Sequence, residues 1–279
     1  MPCKKPIRLF VEGHRAEGPI SWNEARRCFG SYVEIGCYWC SVCRYARTKE
    51  WALRCALEAK SHKQMSFLNL TYRTPDLPEG GTLVKRHCQD FLRALRYRTG
   101  VRFRYYLSGE YGSLKGRPHY HVLVFGVAFE DQYPWRMSGT GHQLYRSELA
   151  EKCWPYGHVE IGTVTLNSAK YVAGYIRKKI VGDEADNHYE GRLPEFSLMS
   201  LKPGIGVPWY EANKDMMFRE GFIRVDGRSY HIPRYFRQMY EKENPEGYAD
   251  YMERKPEIGR RMNVDPGGHE YDVVESPFV

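Results

Sequence analysis

Two histidines lie one residue apart in the stretch RPHYHVLVFG, where an apolar run begins. Side chains at positions i and i+2 of a β-strand point to the same face of a sheet, so His119 and His121 would lie side by side. Two adjacent imidazoles can bind one metal ion, while Tyr120 between them would point into the packing on the opposite face. The alternative is that both histidines are ordinary strand residues, because His-x-His also occurs by chance.

A glutamate ends the strand-like segment that precedes this pair, VRFRYYLSGE. The stretch YGSLKGRP, which contains Gly and Pro, separates the two segments and predicts an antiparallel hairpin. Cross-strand neighbours of a hairpin lie close together, so Glu110 can join His119 and His121. This mixed set suits Mn²⁺ or Mg²⁺, with Zn²⁺ also compatible, and leaves coordination positions open for substrate oxygens. The alternative for Glu110 is a surface carboxylate at a turn.

Two tyrosines and a lysine share one face of a predicted helix, LNSAKYVAGYIRKKI. Tyr171, Tyr175 and Lys178 stand at positions i, i+4 and i+7, which bring their side chains onto the same face. A tyrosine hydroxyl can act as a covalent nucleophile, although its ordinary pKa of about 10 means that it needs assistance at neutral pH. A metal-polarised phosphate and a nearby lysine would assist it. A stripe of tyrosines at helical spacing is also typical of a packed core.

The stretch CYWCSVCR carries three cysteines at the spacing Cys-x-x-Cys-x-x-Cys. Cys37, Cys40 and Cys43 at this spacing suit a tetrahedral zinc site, but they supply only three of the four ligands. The fourth thiolate would come from one of three other cysteines: Cys3, Cys28 or Cys55. The alternative is that these cysteines are reduced thiols without a metal.

The composition favours a polyanionic partner whose bases can stack on aromatic rings. The chain carries a formal net charge of +8 and contains 22 Tyr, 12 Phe and 6 Trp residues. A basic groove with aromatic side chains is how proteins bind single-stranded DNA. Four basic residues near the predicted hairpin are candidates for DNA contacts, although each is also typical of a solvated surface: Arg102, Arg104, Lys115 and Arg117.

The sequence contains no segment that we expect to direct the chain to a membrane. The stretch MPCKKPIRLF has no long apolar region behind its basic residues, and the longest apolar stretch, 122–129, is too short to span a bilayer. We therefore expect a soluble protein that acts in the cytoplasm. The chain also lacks the pattern G-x-x-x-x-G-K-[ST], so it carries no recognisable ATPase motif.

Mixed helices and strands around a hairpin predict an α+β fold, with a central antiparallel sheet flanked by helices. Helices are predicted over 48–62, 83–99 and 166–180, strands over 64–74, 101–110, 119–126 and 157–165, and a further hairpin turning at Asp226–Gly227. The stretches 128–155 and 182–202 are predicted to be loops. The domain prediction is a Cys-rich N-terminal extension over 1–47 packed on a main domain over 48–240, and a loosely held, charged tail over 241–279.

Three segments in this order, FLNLTY, RPHYHVLVFG and YVAGYIRKK, resemble the three motifs of the HUH (His–hydrophobic–His) endonucleases, which initiate rolling-circle replication. Further segments resemble the replication initiators of the microviruses, and especially of the gokushovirus type: GCYWCSVCR, SGEYG, WPYGHVEIG, MSLKPGIGVPWYE and HIPRYF. The resemblance covers residues 1 to about 240. It identifies 48–240 as an HUH endonuclease domain.

The resemblance implies a role for six residues: His119, His121 and Glu110 as metal ligands, and Tyr171, Tyr175 and Lys178 in the nucleophile motif. Gly174 stands where family helices often have a second lysine, so Tyr175 has the better-formed motif. Asn69 replaces the threonine that is usual in the first motif.

The reaction that the resemblance implies is a Mg²⁺- or Mn²⁺-dependent transesterification at the phage origin. A tyrosine nicks single-stranded DNA, remains joined to the 5′-phosphate and later religates the strand, in cooperation with a host helicase and the host replication machinery. Two alternatives stay open at this point. The first is a non-catalytic nucleic-acid-binding protein with a Cys-rich zinc element, and the second is an HUH relaxase or transposase.

Overall fold

The computed structural model describes residues 3–10, 32–112, 115–174, 179–180 and 184–263. The chain divides into two units, Met1–Thr48 and Lys49–Val279. In the first unit, strand β1 (Ile7–Phe10) pairs antiparallel with β2 (Tyr32–Ile35). Helix α1 (Ser41–Ala59) begins after the cysteine-bearing turn and contributes residues to both units.

A seven-stranded antiparallel sheet forms the centre of the second unit, as the sequence predicted. Its strands are β3 (Met65–Tyr72), β4 (Arg104–Tyr111), β5 (Pro118–Phe125), β6 (Tyr133–Met137), β7 (Gln143–Arg146), β8 (Gly157–Gly162) and β9 (Phe196–Met199). Their order across the sheet is β6-β7-β8-β3-β5-β4-β9. Strand β5, which carries the histidine pair, therefore lies between β3 and β4.

Helices lie around this sheet and in the C-terminal part of the chain. They are α2 (Lys85–Thr99), α3 (Glu148–Cys153), α4 (Leu166–Gly174), α5 (Glu184–Tyr189), α6 (Val207–Glu220), α7 (Arg234–Glu243) and α8 (Pro245–Asn263). The hairpin of β10 (Phe222–Val225) and β11 (Arg228–His231) turns at Asp226–Gly227 as predicted, and both turn residues have positive φ.

One face of the sheet is apolar along its length and packs on α2. Alternate residues of the central strands, such as Leu68 and Val122, share a buried cluster with Phe91 and Leu95 of that helix. Tyr120 lies in the same cluster, and its hydroxyl is 2.9 Å from the hydroxyl of Tyr72. Because side chains alternate along a strand, the two histidines beside Tyr120 face the other side of the sheet.

The opposite face is apolar at one end only. Phe67, Tyr106 and Leu123 on that face form a buried cluster with Ala169 and Val172 of α4. Further along the same strands, polar side chains replace the apolar ones. Helix α4 therefore covers the apolar end and reaches the border where the polar end begins.

Two stretches that were predicted to be loops contain regular structure. Residues 128–155 include β6, β7 and α3, and residues 182–202 include α5 and β9. All residues of β6 are exposed, so the alternation of polar and apolar residues by which a strand is recognised is missing. The remaining four elements are four to six residues long, which is too short for a periodic pattern to register.

The C-terminal segment differs from the expected loosely held tail over residues 245–262, which belong to α8. Tyr251 and Ile258 of that helix are buried in a cluster with Phe218 and Phe222. Tyr248 and Met262 pack against the same cluster, so apolar residues do recur at helical spacing here, and the charged residues and Pro256 between them obscure that pattern in the sequence. Residues 264–279 lie outside the described residues.

Candidate functional site

The strand register brings the predicted metal ligands together. In the hairpin of β4 and β5, Glu110 is directly opposite His119, and Ser108 is opposite His121. On the other side of β5, Asn69 of β3 is opposite His121. All of these side chains share the face of the sheet that carries α4, so the hairpin alone suffices to assemble the two imidazoles and the carboxylate.

The three ligand side chains converge at contact distance. Oε1 of Glu110 lies 2.6 Å from Nε2 of His119 and 3.2 Å from Nε2 of His121. One ligand atom from each residue lies within 4.8 Å of the other two. Glu110 and His121 are buried, whereas the side chain of His119 is 17% exposed. His119 is therefore the member of the cluster that solvent reaches.

The electrostatics of the cluster keep its carboxylate charged. Burial by itself would raise the pKa of Glu110, but its close contacts with the imidazoles of His119 and His121 hold that pKa well below its usual range. A carboxylate that is ionised at neutral pH is the form that binds a cation.

The side chains present fit a divalent metal ion. The Nδ1–H of His119 donates to the backbone carbonyl of Arg117 over 3.2 Å, which leaves Nε2 with a lone pair for a metal. Such a bond from the non-ligating nitrogen to a carbonyl is characteristic of metal-binding histidines. Two imidazole nitrogens and one carboxylate form a donor set that several divalent ions accept.

Tyr171 lies against this cluster. Its ring centroid is 5.0 Å from that of His121 and 6.3 Å from that of Phe67, and its side chain is half-buried. The other two predicted members of the nucleophile motif, Tyr175 and Lys178, lie outside the described residues. Of the three predicted residues of the nucleophile motif, Tyr171 is therefore the one that the structure places beside the histidines.

Two local contacts position α4. Its N-terminal cap is Thr165, because the Thr165 hydroxyl accepts a hydrogen bond from the Ser168 amide at 3.1 Å. The Ser168 hydroxyl accepts in return from the Thr165 amide at 2.7 Å. Near the other end, the hydroxyl of Ser108, opposite His121 in the sheet, donates to the carbonyl of Val172 over 3.1 Å. This bond fixes the turn that carries Tyr171 to the ligand-bearing hairpin.

The four basic residues that were predicted to contact DNA lie in different settings. Arg104 differs from the prediction: its guanidinium pairs with Glu58 at 2.5 Å and donates to the carbonyl of Gly204, and its side chain is 16% exposed. It therefore acts as a structural residue. Arg102 is exposed but precedes β4, about 20 Å or more of extended chain from Glu110.

The other two basic residues lie in the turn beside the ligand cluster. Lys115 is exposed, and Arg117 is half-buried. The guanidinium of Arg117 donates to the carbonyl of Tyr72 over 2.9 Å, so it also joins the ends of β3 and β5.

Sequence reasoning missed a polar extension of the site onto β8 and β6. Glu160 of β8 accepts from the amide of Asn69 at 3.4 Å and from two nitrogens of Arg136, at 2.7 and 3.2 Å. The Asn69 Oδ1 atom is buried and makes no hydrogen bond within the described part of the chain. An acceptor thus remains in the strand position next to His121.

The extension ends on an exposed aromatic ring. Arg146 of β7 donates to Nδ1 of His158 over 2.8 Å, and its guanidinium lies 4.6 Å from the ring centroid of Trp135, which is 52% exposed. The alternation of His158 and Glu160 in WPYGHVEIG is the sequence signal that would have revealed this extension, because both residues share the histidine face of the sheet.

A second cluster of potential metal ligands lies in the first unit. The sulfur atoms of Cys3, Cys37, Cys40 and Cys43 all lie within 4.8 Å of one another. Cys3 is thus the described cysteine that joins the other three. Cys55, a predicted alternative, is buried in the core cluster of the second unit, and Cys28 lies outside the described residues.

Comparisons with known proteins match the part of the chain that carries the site. The family model for replication-associated protein ORF2/G2P matches residues 65–180, which include the histidine pair, Glu110 and α4. Replication-associated protein VP4 of Bdellovibrio phage phiMH2K is 31% identical over 262 residues, which are 90% of this chain and 81% of that relative. This chain belongs to the replication-associated proteins of the microvirus-type phages.

Two further members of this family cover most of the chain. Replication-associated protein ORF2 of Spiroplasma virus 4 is 29% identical, over 92% of this chain and 86% of the relative. Replication-associated protein ORF4 of Chlamydia phage 1 is 31% identical, over 75% of this chain and 54% of the relative. No solved structure matches the chain. Among the described helices, none combines the length and apolar character that crossing a membrane requires.

Proposed function

We propose that this replication-associated protein is a site-specific endonuclease and strand-transferase for single-stranded DNA. It would nick the phage origin through a tyrosine, hold the 5′-phosphate covalently and religate the strand at the end of a replication round. The observation that carries the proposal is the contact of the Tyr171 ring with an imidazole of a His–His–Glu cluster. Family membership supports a role in phage replication but does not by itself specify this chemistry.

His119, His121 and Glu110 would hold the metal ion, with Mg²⁺ or Mn²⁺ as the candidates. When bound, such an ion polarises the scissile phosphate. The chain itself supplies the orientation of the ligands. The carbonyl of Arg117 holds the tautomer of His119, and burial together with the strand register fixes His121 and Glu110.

The tyrosine would act as the nucleophile in an in-line displacement at phosphorus. A bond forms between the tyrosine oxygen and phosphorus, the bond from phosphorus to the 3′-oxygen breaks, and the phenolic proton leaves while the 3′-oxygen takes one up. The phosphotyrosine retains the energy of the phosphodiester, so the reverse attack by a 3′-hydroxyl reseals DNA without ATP. Tyr171 and Tyr175, four positions apart in the sequence, would alternate as nucleophiles, and Lys178 would assist the hydroxyl of Tyr175.

The polar extension across β8 and β6 suits the strand that leads to the scissile phosphate. Trp135 offers an exposed ring on which a base can stack, and the guanidinium groups of Arg146 and Arg136 lie nearby, paired with Glu151 and Glu160. Aromatic rings and cations alternating along a surface bind single strands with little dependence on sequence. Lys115 would contribute a further charge at the His119 end.

The experiment that tests this proposal detects the covalent intermediate. The protein is incubated with Mn²⁺ and single-stranded oligonucleotides that tile the phage genome, and adducts that survive denaturation are separated on a gel. We expect Tyr171→Phe with Tyr175→Phe to eliminate the adduct, and His121→Ala to reduce it by more than about 100-fold. Tyr97→Phe, which changes an exposed tyrosine on α2, is the matched control.

Two outcomes would contradict the proposal. One is a wild-type protein that binds these oligonucleotides but forms no adduct, which would indicate a non-catalytic DNA-binding protein. The other is an adduct of normal yield in the double tyrosine variant. Recircularisation of the nicked strand, as opposed to its transfer or integration, would distinguish a replication initiator from a relaxase or a transposase.

A further inference from the structure

The spacing of the sulfur atoms in the first unit matches a tetrahedral metal site. Zinc–sulfur bonds of about 2.3 Å at tetrahedral angles place two sulfur ligands about 3.8 Å apart. The sulfur atoms of Cys3 and Cys40 are 3.8 Å apart. A disulfide needs about 2.05 Å between its sulfur atoms, and all four cysteines are free thiols.

Backbone amides support these sulfur atoms as thiolates. The amide of Cys37 donates to Cys3 Sγ over 3.3 Å, and the amide of Cys40 donates to Cys37 Sγ over 3.2 Å. Hydrogen bonds from N–H groups to ligating atoms orient those atoms and stabilise their negative charge. The turn from Cys37 to Cys40 therefore presents its amides to the ligand set.

The residues inside this turn point outward. Tyr38 and Trp39, between Cys37 and Cys40, are 42% and 62% exposed. Tyr38 has a φ of 64°, a left-handed conformation that non-glycine residues adopt only where the surroundings impose it. Four sulfur ligands around one cation would supply that constraint, because they fix both ends of the turn.

The charge around the turn has one sign. Lys4, Lys5 and Arg47 are exposed, and Arg44 is half-buried. No acidic residue occurs among residues 3–7 and 35–48, which are the positions of the first unit whose side chains the structure describes. Two exposed rings among cations suit a polyanion whose bases stack, which is single-stranded nucleic acid.

We propose that Cys3, Cys37, Cys40 and Cys43 bind a structural Zn²⁺, and that the resulting knuckle presents Tyr38 and Trp39 as a stacking surface for single-stranded DNA. Four soft thiolates in a tetrahedral set select zinc over the hard cations Mg²⁺ and Mn²⁺. Ligands contributed from both ends of the unit also give a short segment the cross-link that a small core cannot supply. This site goes beyond the nicking reaction, since it needs neither the histidine cluster nor a tyrosine nucleophile.

The first test measures zinc in the full-length protein purified under reducing conditions. We expect one zinc per chain, and tetrahedral thiolate spectra after Co²⁺ substitution. Cys40→Ser is expected to lose the metal, and Cys40→His to retain it because imidazole can replace a thiolate. Cys153→Ala, at a buried cysteine of the second unit, and His121→Ala should both keep the zinc. A zinc-free wild type, or a Cys40→Ser protein with full zinc content, would overturn the assignment.

The second test measures how tightly an unlabelled oligo-dT binds to a His121→Ala protein, in which we expect no cleavage. Binding is followed by tryptophan fluorescence and by competition. We expect Trp39→Ala and Tyr38→Ala each to weaken binding about tenfold while zinc content stays at one per chain. Tyr97→Ala removes an exposed ring from the second unit and should leave binding unchanged. Unchanged affinity in the Trp39→Ala protein, or a preference for oligo-U over oligo-dT, would contradict the stacking surface for DNA. Either result is independent of whether the wild type forms a covalent adduct.

Discussion

The two clusters of potential metal ligands differ in whether they are complete. The first unit supplies four cysteine sulfur atoms, which is the full coordination of a tetrahedral ion. The second unit supplies two imidazoles and one carboxylate, with His119 at the solvent side. Closed sets of four protein ligands are characteristic of structural sites, and sets of three leave room for a substrate. The contrast indicates which cluster supports the fold and which is available for chemistry.

The two clusters also differ in how the chain assembles them. Cys37, Cys40 and Cys43 follow one another in a turn and the start of a helix, and only Cys3 comes from far along the chain. Glu110, His119 and His121 meet through antiparallel register instead. A local turn and a hairpin are both short-range devices, so neither cluster depends on the full fold to bring most of its ligands together.

The largest effect that we expect from this contrast is that a chelator removes the metal ion from the histidine cluster but leaves the zinc in the cysteine cluster. Brief treatment with EDTA should reduce adduct formation by more than about 100-fold, because a mixed His–carboxylate set holds hard cations weakly and exchanges them with solvent. Mn²⁺ should restore the activity. Zinc content, measured in the same samples, should remain at one per chain. Simultaneous loss of adduct and zinc, without recovery in Mn²⁺, would break the distinction between the two clusters.

A buried ion pair in the second unit supplies the next comparison. Unlike the two clusters, it needs no metal ion, because both of its charges come from side chains. Glu58 is fully buried and accepts from Nε of Arg104 at 2.5 Å and from the amide of Gly206 at 2.6 Å. Glu58→Gln leaves the Arg104 charge unpaired, so we expect the free energy of unfolding to fall by about 3–5 kcal/mol in urea titrations.

Glu148→Gln is the matched control for that prediction. The carboxylate of Glu148 pairs with Lys152 at 2.8 Å on an exposed helix surface. Its removal should cost less than about 1 kcal/mol. Both variants should keep one zinc per chain. A Glu58→Gln protein as stable as the control would show that the buried pair contributes no more than an exposed one.

The smallest expected effect is the pH dependence of a carboxylate away from both clusters. Asp131 accepts from the Ser147 hydroxyl at 2.6 Å and from the Leu149 amide at 2.8 Å, at the start of α3. Burial alone would raise its pKa, but these donors hold the pKa below its ordinary value of 3.8. A lowered pKa in the folded state means that the contact stabilises the protein above pH 3.8 and that this contribution disappears as pH falls through the folded-state pKa.

An NMR titration measures the pKa of Asp131 in the folded protein. Urea unfolding of the wild type and of Asp131→Asn, after removal of metal, measures the difference in their free energies of unfolding at each pH. The difference in stability between the two proteins should be present at pH 7 and shrink at acidic pH. A difference that grows on acidification would mean that the sign of the shift is wrong.

The sequence was most informative where the chemistry depends on short-range spacing. The hairpin with Glu110 and the histidine pair, the position of Tyr171 on a helix, and the turn at Asp226–Gly227 follow from patterns within a few residues of one another. The sequence left three candidates for the fourth sulfur, and the structure was needed to identify Cys3 as the one that lies beside the other three cysteines.

Contacts between residues that are far apart in the chain could not be predicted from the sequence. Nothing in the segment around Arg104 indicates that its charge is neutralised by Glu58, 46 positions earlier. The exposed strand β6 likewise has no apolar alternation, so Trp135 and Arg136 were assigned to a loop. The partners of Tyr251, such as Phe218 and Tyr240, come from two other helices, and no local pattern indicates which helices these are.

The hairpin that carries the ligand set also fixes an order of events during synthesis. Glu110 and His119 are nine positions apart, and hairpins of this kind close within about 1–10 μs once both strands are available. The ribosome makes both strands before it makes α4, so Glu110 and the histidines precede the phenol of Tyr171 in the order of synthesis. Under the proposed function, the chain gains the capacity to break DNA only when that helix packs beside the histidines.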